Sequence, residues 1–232
     1  RDAGTRLFGA GHASAGMTAL SPTWSFAEGA TGPASGFSGP RASPTVADDK
    51  VVTLGVRGVV SCLDAESGEL IWRKDDNAWP RFFTSSSPIV VGGKCIVQLG
   101  GQDDGSVAAY DLESGDEVWR WAGDGAAYAS PVLLKFGGDD VVIAETSDRI
   151  VGLSVDDGSL LWETPYQVTG RGYNAATPII DGETLVFSGS NRGVKAVKLS
   201  KQDGAISARE LWSNQDNSVQ YNSPILKDGT IY

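Results

Sequence analysis

The residues of this 232-residue chain with the reach for chemistry are two cysteines, one histidine, 29 carboxylates and seven tryptophans. Cys62 and Cys95 stand 33 residues apart in separate apolar runs. They fit a disulfide or, as the favoured reading, two buried thiols, and two cysteines fix no compartment. His12 is the single imidazole, so a multi-His metal site is excluded. A Ser-His-Asp triad has no other base, and none of the serines sits in a nucleophile elbow. A glycosidase needs two singled-out carboxylates, and nothing distinguishes a pair among the 29. Asp103-Asp104-Gly105 is a turn far shorter than a 12-residue calcium loop.

Charge narrows the partners. Nineteen Lys and Arg against 29 Asp and Glu give a net charge of −10. Nucleic-acid binding rests on clustered cations over phosphates, and no such cluster occurs, so DNA and RNA are set aside. No segment approaches the ~20 apolar residues of a membrane span.

The elements that must position these residues announce themselves by repetition. A Ser/Thr-Pro pair recurs at Ser43, Ser87, Ser130, Thr177 and Ser223, at intervals of 44, 43, 47 and 46 residues. A glycine followed four residues later by tryptophan shares the period, at Gly68/Trp72, Gly115/Trp119 and Gly158/Trp162. A fourth copy is stretched, running from Gly204 to Trp212. Each period reads as four short strands, the first as SPTVA, KVVTLGV, GVVSCLDA and ELIWRK, separated by Asp-, Gly- or Ser-bearing turns. No run carries a helical stripe. Four strands per ~45 residues predict an all-β propeller of four-stranded antiparallel blades. Blades begin near Ser43, Ser87, Ser130 and Thr177, and a partial fifth begins near Ser223. Residues 43–232 hold these repeats. Residues 1–42 read as a lead-in segment whose strand at 22–26, PTWSF, closes a blade from outside. The expectation is a piece of a larger ring of seven or eight blades.

Within the third hairpin of each blade, Asp64 and Asp111 are placed to accept backbone N–H groups across the turn. Gly68, Gly115 and Gly158 are placed to supply a left-handed backbone. Trp72, Trp119, Trp162 and Trp212 fall on outer strands. A ligand site needs no copy in every blade, so the periodic rings are assigned to packing between blades, each N–H reaching a polar partner.

The string SPTVADDKVVTLGVRGVVSCLDAESGELIW, with its Ser-Pro lead and its LDA-x-[ST]-G-x-x-x-W ending, resembles the repeat of PQQ-like propellers over residues 43–232. That resemblance implies a periplasmic, cell-envelope or extracellular protein. It includes both non-catalytic BamB-like lipoproteins and quinoprotein dehydrogenases. The latter grip PQQ between a Trp and a disulfide of adjacent cysteines, beside a calcium ion held by carboxylate and amide oxygens, with an Asp as base. Cys62 and Cys95 are not adjacent, and no calcium ligands can be matched by motif. The expectation is therefore no PQQ, no calcium and no catalysis, with a fragment of a PQQ-dependent dehydrogenase as the alternative.

The candidate site is then a partner-binding face. Loops from each outer strand to the next inner strand, 75–86, 122–129, 165–176 and 214–222, lie on one face and vary while the strands repeat. They offer Trp79, Arg81, Phe82, Tyr128, Arg171, Tyr173 and Tyr221, residue types that anchor protein interfaces, and are assigned to a protein or peptide partner. The second-to-third-strand turns bring Arg57, Arg149 and Arg192 to the same face.

Overall fold

The computed structural model describes residues 41–168, 170, 172–202 and 205–232. The closing strand expected at 22–26, Gly204 and Arg171 lie outside these residues. The first blade consists of β1 (Thr45–Ala47), β2 (Lys50–Leu54), β3 (Val59–Asp64) and β4 (Leu70–Asp75). The second holds β5 (Ile89–Val91), β6 (Lys94–Gly100), β7 (Gly105–Asp111) and β8 (Glu117–Ala122). The third holds β9 (Val132–Phe136), β10 (Asp139–Glu145), β11 (Arg149–Ser154) and β12 (Leu160–Pro165). The fourth holds β13 (Ile179–Asp181), β14 (Thr184–Ser188), β15 (Val194–Gln202) and β16 (Ala205–Asn214). A two-stranded fifth sheet pairs β17 (Leu226–Lys227) with β18 (Thr230–Ile231). Each sheet pairs its strands in chain order, antiparallel, and no helix occurs among the described residues.

A single sheet has no interior, so the core lies in the seams between blades. Alternation along β6 shows how: Cys95, Val97 and Leu99 pack against Val52, Leu54 and Cys62 of the first blade. Ile96, between them, packs with Val142, Ala144, Val151 and Leu153 of the third. Leu134, Val141 and Ile143 then meet Leu185, Phe187 and Leu199 of the fourth. Strands buried on both faces read as continuous apolar runs, as here. Both cysteines are free and buried, and burial pushes their thiols up, Cys62 to about 11 and Cys95 to about 12.

The seams between the first four blades each bury a tryptophan. In every blade the third and fourth strands slip register at one place, between Cys62/Leu63, Ala109/Tyr110, Gly152/Leu153 and Ala196/Val197. The extra residue (Ile71, Val118, Leu161 or Leu211) bulges the outer strand immediately before its Trp and re-aims it. Trp72 lies over Gly115 of the next blade and donates its Nε1–H to the Leu112 carbonyl at 2.9 Å. Trp119 repeats this over Gly158, donating to Val155 at 2.9 Å. A Cβ on Gly115 or Gly158 would fall 2.7 or 2.6 Å from a ring atom. These glycines therefore serve twice, at φ 74° and 72° for the turn and as bare platforms for the indole. Asp64 and Asp111 close the same turns: Oδ1 of Asp64 accepts the N–H groups of Ser67 at 2.7 Å and Glu66 at 3.0 Å. Bonds from Ser67, then Ser114 in the next blade, hold both carboxyls below their usual range. The third blade uses Ser154 and Asp157 instead.

Trp212 departs from the expectation of burial. It pairs with Ala196 as Trp162 pairs with Gly152, yet it is 46% exposed while Trp72, Trp119 and Trp162 are buried. The fifth sheet has only its first two strands among the described residues, so no third hairpin lies across from this ring. Trp162 meets a different neighbour: the lengthened β15–β16 hairpin brings Leu199 and Ile206 to its cluster.

The double duty of the platform glycines is testable. Gly158→Ala should destabilise the chain by roughly 2–4 kcal/mol in urea unfolding, the sum of left-handed strain and overpacking against Trp119. Gly93, at φ 70° with open space around it, should cost only the strain, roughly 1–2 kcal/mol, on the same change. Equal losses at the two positions would remove the platform role.

Candidate partner face

The Ser/Thr-Pro pairs open the inner strands, and proline dictates their geometry. Proline holds the preceding residue extended, which leaves that residue's N–H projecting from the first strand rather than turning into it. In the first three blades this N–H meets the next blade's hydroxyl. Ser43 donates to Ser87 Oγ at 3.0 Å, Ser87 to Ser130 Oγ at 2.9 Å, and Ser130 to Thr177 Oγ1 at 3.2 Å. Ser223 Oγ reaches Thr177 Oγ1 at 3.2 Å. The repeat marker is thus a hydrogen-bonded ladder that ties the inner strands together. Sequence reasoning used these residues as punctuation and missed their bonding, although the choice of a hydroxyl residue before each of the five repeat prolines was the signal.

The ladder floors a cavity of about 500 Å³, and the loops wall it with Phe82, Tyr128, Tyr173 and Tyr221. Three of these rings come from successive loops and meet edge to face or tilted. Phe82 and Tyr173 have centroids 5.0 Å apart, Tyr128 and Tyr173 5.6 Å, and Phe82 and Tyr128 6.3 Å. Edge-to-face pairs at such separations are mutually attractive, so the trio is a preformed group. Tyr128 Oη also accepts the Phe82 N–H at 3.2 Å, locking two loops. Burial pushes the Tyr128 hydroxyl up, which keeps it neutral. Tyr221, which also lines the cavity, is 68% exposed. Arg81 is exposed, with its guanidinium 5.4 Å from the Phe82 ring.

Trp79 does not join this group. A turn closed by Phe83 N–H to the Pro80 carbonyl at 2.8 Å, with Phe83 at φ 66°, buries Phe83 and leaves Phe82 at the surface. Trp79 stacks on buried Phe83 at 5.9 Å, with Arg57 4.3 Å above it. It therefore covers the loop's own core, which spacing alone had not separated from the Phe82 side.

The turn arginines also work within the fold. Arg149 reaches the Asp124 carboxylate through Nη2 at 2.6 Å and Nε at 2.8 Å, a paired contact that holds the Asp124 carboxyl below its usual range. Arg192 donates to the Tyr166 carbonyl at 2.7 Å and to Asn174 Oδ1, and covers the Tyr166 ring at 3.9 Å. Asn174, buried, donates Nδ2 to the Thr146 carbonyl at 2.7 Å. These ties fix the loops, and the trio inherits their rigidity. A second cleft of about 740 Å³ adjoins it, lined by Arg81, Asp103, Asp124, Asp148 and the other sides of Tyr128 and Tyr173. Among the described residues no group of three His, Cys, Asp or Glu is placed to hold a metal.

A family profile described as outer membrane protein assembly factor BamB matches residues 15–232. The BamB of Burkholderia pseudomallei (strain K96243) is 29% identical over 152 residues, 66% of this chain and 36% of that protein. The quinohemoprotein alcohol dehydrogenase ADH-IIG of Pseudomonas putida is 38% identical over 69 residues, 28% of this chain and 10% of that one. The crystal structure of BamB from Moraxella catarrhalis superposes with a TM-score of 0.54 at 19% identity, covering 77% of this chain and 62% of that one. The chain spans less than half the length of the curated assembly factors it matches.

The hydroxyl ladder carries its own test. Thr177→Val keeps the shape and removes the acceptor for Ser130 N–H, and should cost about 1–2 kcal/mol in urea unfolding. Thr177→Ser should restore most of it. A Val variant as stable as the parent would show that the ladder contributes nothing.

Proposed function

The chain belongs to the family of the outer membrane protein assembly factor BamB, and from that premise we propose that it is a non-catalytic propeller scaffold of the cell envelope that docks a protein or peptide partner on its loop face. The observation that carries this reading is the trio Phe82, Tyr128 and Tyr173, drawn from three successive loops into one half-buried cluster beside a cavity. Rings held in place before binding lose little entropy when a partner covers them, which suits them to anchor an interface. A partner's apolar side chain entering the cavity would meet the three rings, exposed Tyr221 and the hydroxyls of the ladder. Arg81 beside Phe82, and Asp103 and Asp148 in the adjoining cleft, supply the polar rim such interfaces have. The opposite face carries the Asp-Gly turns of the third hairpins, which offer no ring cluster among the described residues.

The relationship to a quinohemoprotein dehydrogenase supports a second reading, in which the chain is part of an oxidoreductase. The residues present do not fit that cofactor. The chain's two cysteines are separate, in β3 and β6, each buried in a seam, so they cannot form the adjacent-cysteine disulfide that would cover one face of the quinone. Adding PQQ and calcium to the purified chain should produce no bound quinone absorbance and no alcohol-dependent dye reduction. A stoichiometric bound quinone would make the second reading the correct one.

The docking reading is tested by placing a photo-reactive residue at Tyr173 or Tyr221, and for comparison at Ser67 on the opposite face, in cells of the source organism. Cross-linked protein should appear from the two loop positions and not from Ser67. Phe82→Ala should cut the cross-linking from 221 about tenfold or more. It should also lower stability only by the roughly 0.5–1.5 kcal/mol of each lost ring pair. Cross-links of equal strength from both faces, or from neither, would overturn the assignment.

A further inference from the structure

One polar position repeats inside the seams, and in the third blade it holds an acid. Register places Thr45, Ile89, Val132 and Ile179 opposite Val52, Ile96, Ile143 and Val186. Two residues further, Leu54, Gln98, Glu145 and Ser188 are equivalent, all on the side of the blade that faces the next one, and all buried. The two neutral polar members do the same work. Gln98 Oε1 accepts the N–H of Ala127 at 3.1 Å, in the loop that leaves its blade, while its Nε2 donates to the Glu145 carbonyl of the next blade at 2.7 Å. Ser188 Oγ accepts the N–H of Val219 at 2.9 Å, again in the outgoing loop, and donates to the Gly193 carbonyl at 2.9 Å. In the second and fourth blades this position anchors the outgoing loop by accepting one bond and donating another.

Glu145 occupies it in the third blade, wholly buried, with both carboxyl oxygens unpartnered. A carboxylate can only accept. A protonated acid has the one donor and one acceptor that the position uses, as the Gln98 amide does. The loop it faces carries Tyr166, whose hydroxyl is also buried and unpartnered, and Arg192 brings a buried, unpartnered Nε from the β14–β15 turn. Tyr166 and Arg192 are the titratable and charged groups that act on it, and Tyr166 stays neutral because burial pushes its hydroxyl up. We propose that Glu145 is kept as a neutral acid and serves as a proton-operated latch on the loop at 165–176, which carries Tyr166 and Tyr173. Burial pushes its carboxyl up to about 8, only partly countered by Arg192. Once ionised, Glu145 loses its donor and attracts Arg192, competing with the Tyr166 carbonyl and Asn174 Oδ1 that this guanidinium now holds. The loop loosens, and Tyr173 with it. The latch rests on the geometry of the seam and stands whether or not the loop face docks a partner.

The sign follows from linkage. A carboxyl whose folded pKa lies near 8 and whose unfolded value lies near 4.5 binds its proton more tightly when folded. Its contribution is fully present below about pH 4.5, falls as pH rises through that window, and levels off above about 8. The folding equilibrium constant of the parent chain should therefore fall, relative to Glu145→Gln, by up to about tenfold per pH unit within the window. Urea unfolding of both chains at pH 5, 7 and 9 reads this directly. Amide hydrogen exchange over 166–176, corrected for its intrinsic pH dependence, should quicken in the parent between pH 6 and 9 and stay level in Glu145→Gln. Parallel pH profiles, or a Gln variant markedly less stable at pH 7, would overturn the proposal and make Glu145 an ionised partner of Arg192. If the Gln variant does not fold, the infrared spectrum of the parent decides. At pH 7 a neutral Glu145 gives the carbonyl stretch of a protonated carboxylic acid, and its absence would sink the idea.

Discussion

The fold depends on covering each blade with the next. A four-stranded sheet exposes two apolar faces and has no interior of its own, so a blade alone cannot exclude water from either. Each outer strand bulges once before its tryptophan, and Trp72 and Trp119 are turned onto the next blade, where a glycine without a side chain receives the ring. The indole N–H then satisfies a carbonyl at the end of that blade's third strand, so the largest apolar contact and a directed hydrogen bond coincide. At the inner edge the hydroxyl ladder does the same with smaller groups. The two ties grip each seam at both radial ends, and the aliphatic clusters fill the space between.

The loop face follows from that grip. Loops leaving the outer strands must cross from the rim to the centre, and seam residues fasten them on the way: Gln98 and Ser188 through side-chain bonds, Arg149 through Asp124, Arg192 through Tyr166 and Asn174. The aromatic trio is rigid because the backbones beneath it are tied to neighbouring blades, and not because the rings alone hold it. The arginines that composition offers as interface anchors are largely consumed in this task, and among the described residues Arg81 stands exposed beside Phe82.

Blade four shows what variation the plan tolerates. Its third hairpin is longer, and Trp162 meets Leu199 and Ile206 of that hairpin. The seam keeps its burial by exchanging one kind of neighbour for another. Trp212, at the same place in the repeat, shows the converse. The ring is 46% exposed, and the fifth sheet has two strands among the described residues.

Sequence by itself determined the blades. The shared period of Ser/Thr-Pro and Gly-x-x-x-Trp fixed strand number, strand order and the turn chemistry of Asp64, Asp111 and the glycines, because these are local properties of backbone conformation and near-neighbour bonding. It also placed the loop aromatics on one face, since antiparallel pairing leaves no other choice. Tertiary structure decided which of them meet: Phe82, Tyr128 and Tyr173 cluster while Trp79 turns aside onto Phe83, a choice set by one left-handed residue in the loop and invisible to spacing. It decided that the glycines are platforms as well as hinges, since the atoms that need the space belong to the neighbouring blade. It decided, too, that Glu145 stands in the register of Gln98 and Ser188. One carboxylate among 29 is indistinguishable in a string of letters, and only burial against the next blade, away from water, makes its proton matter.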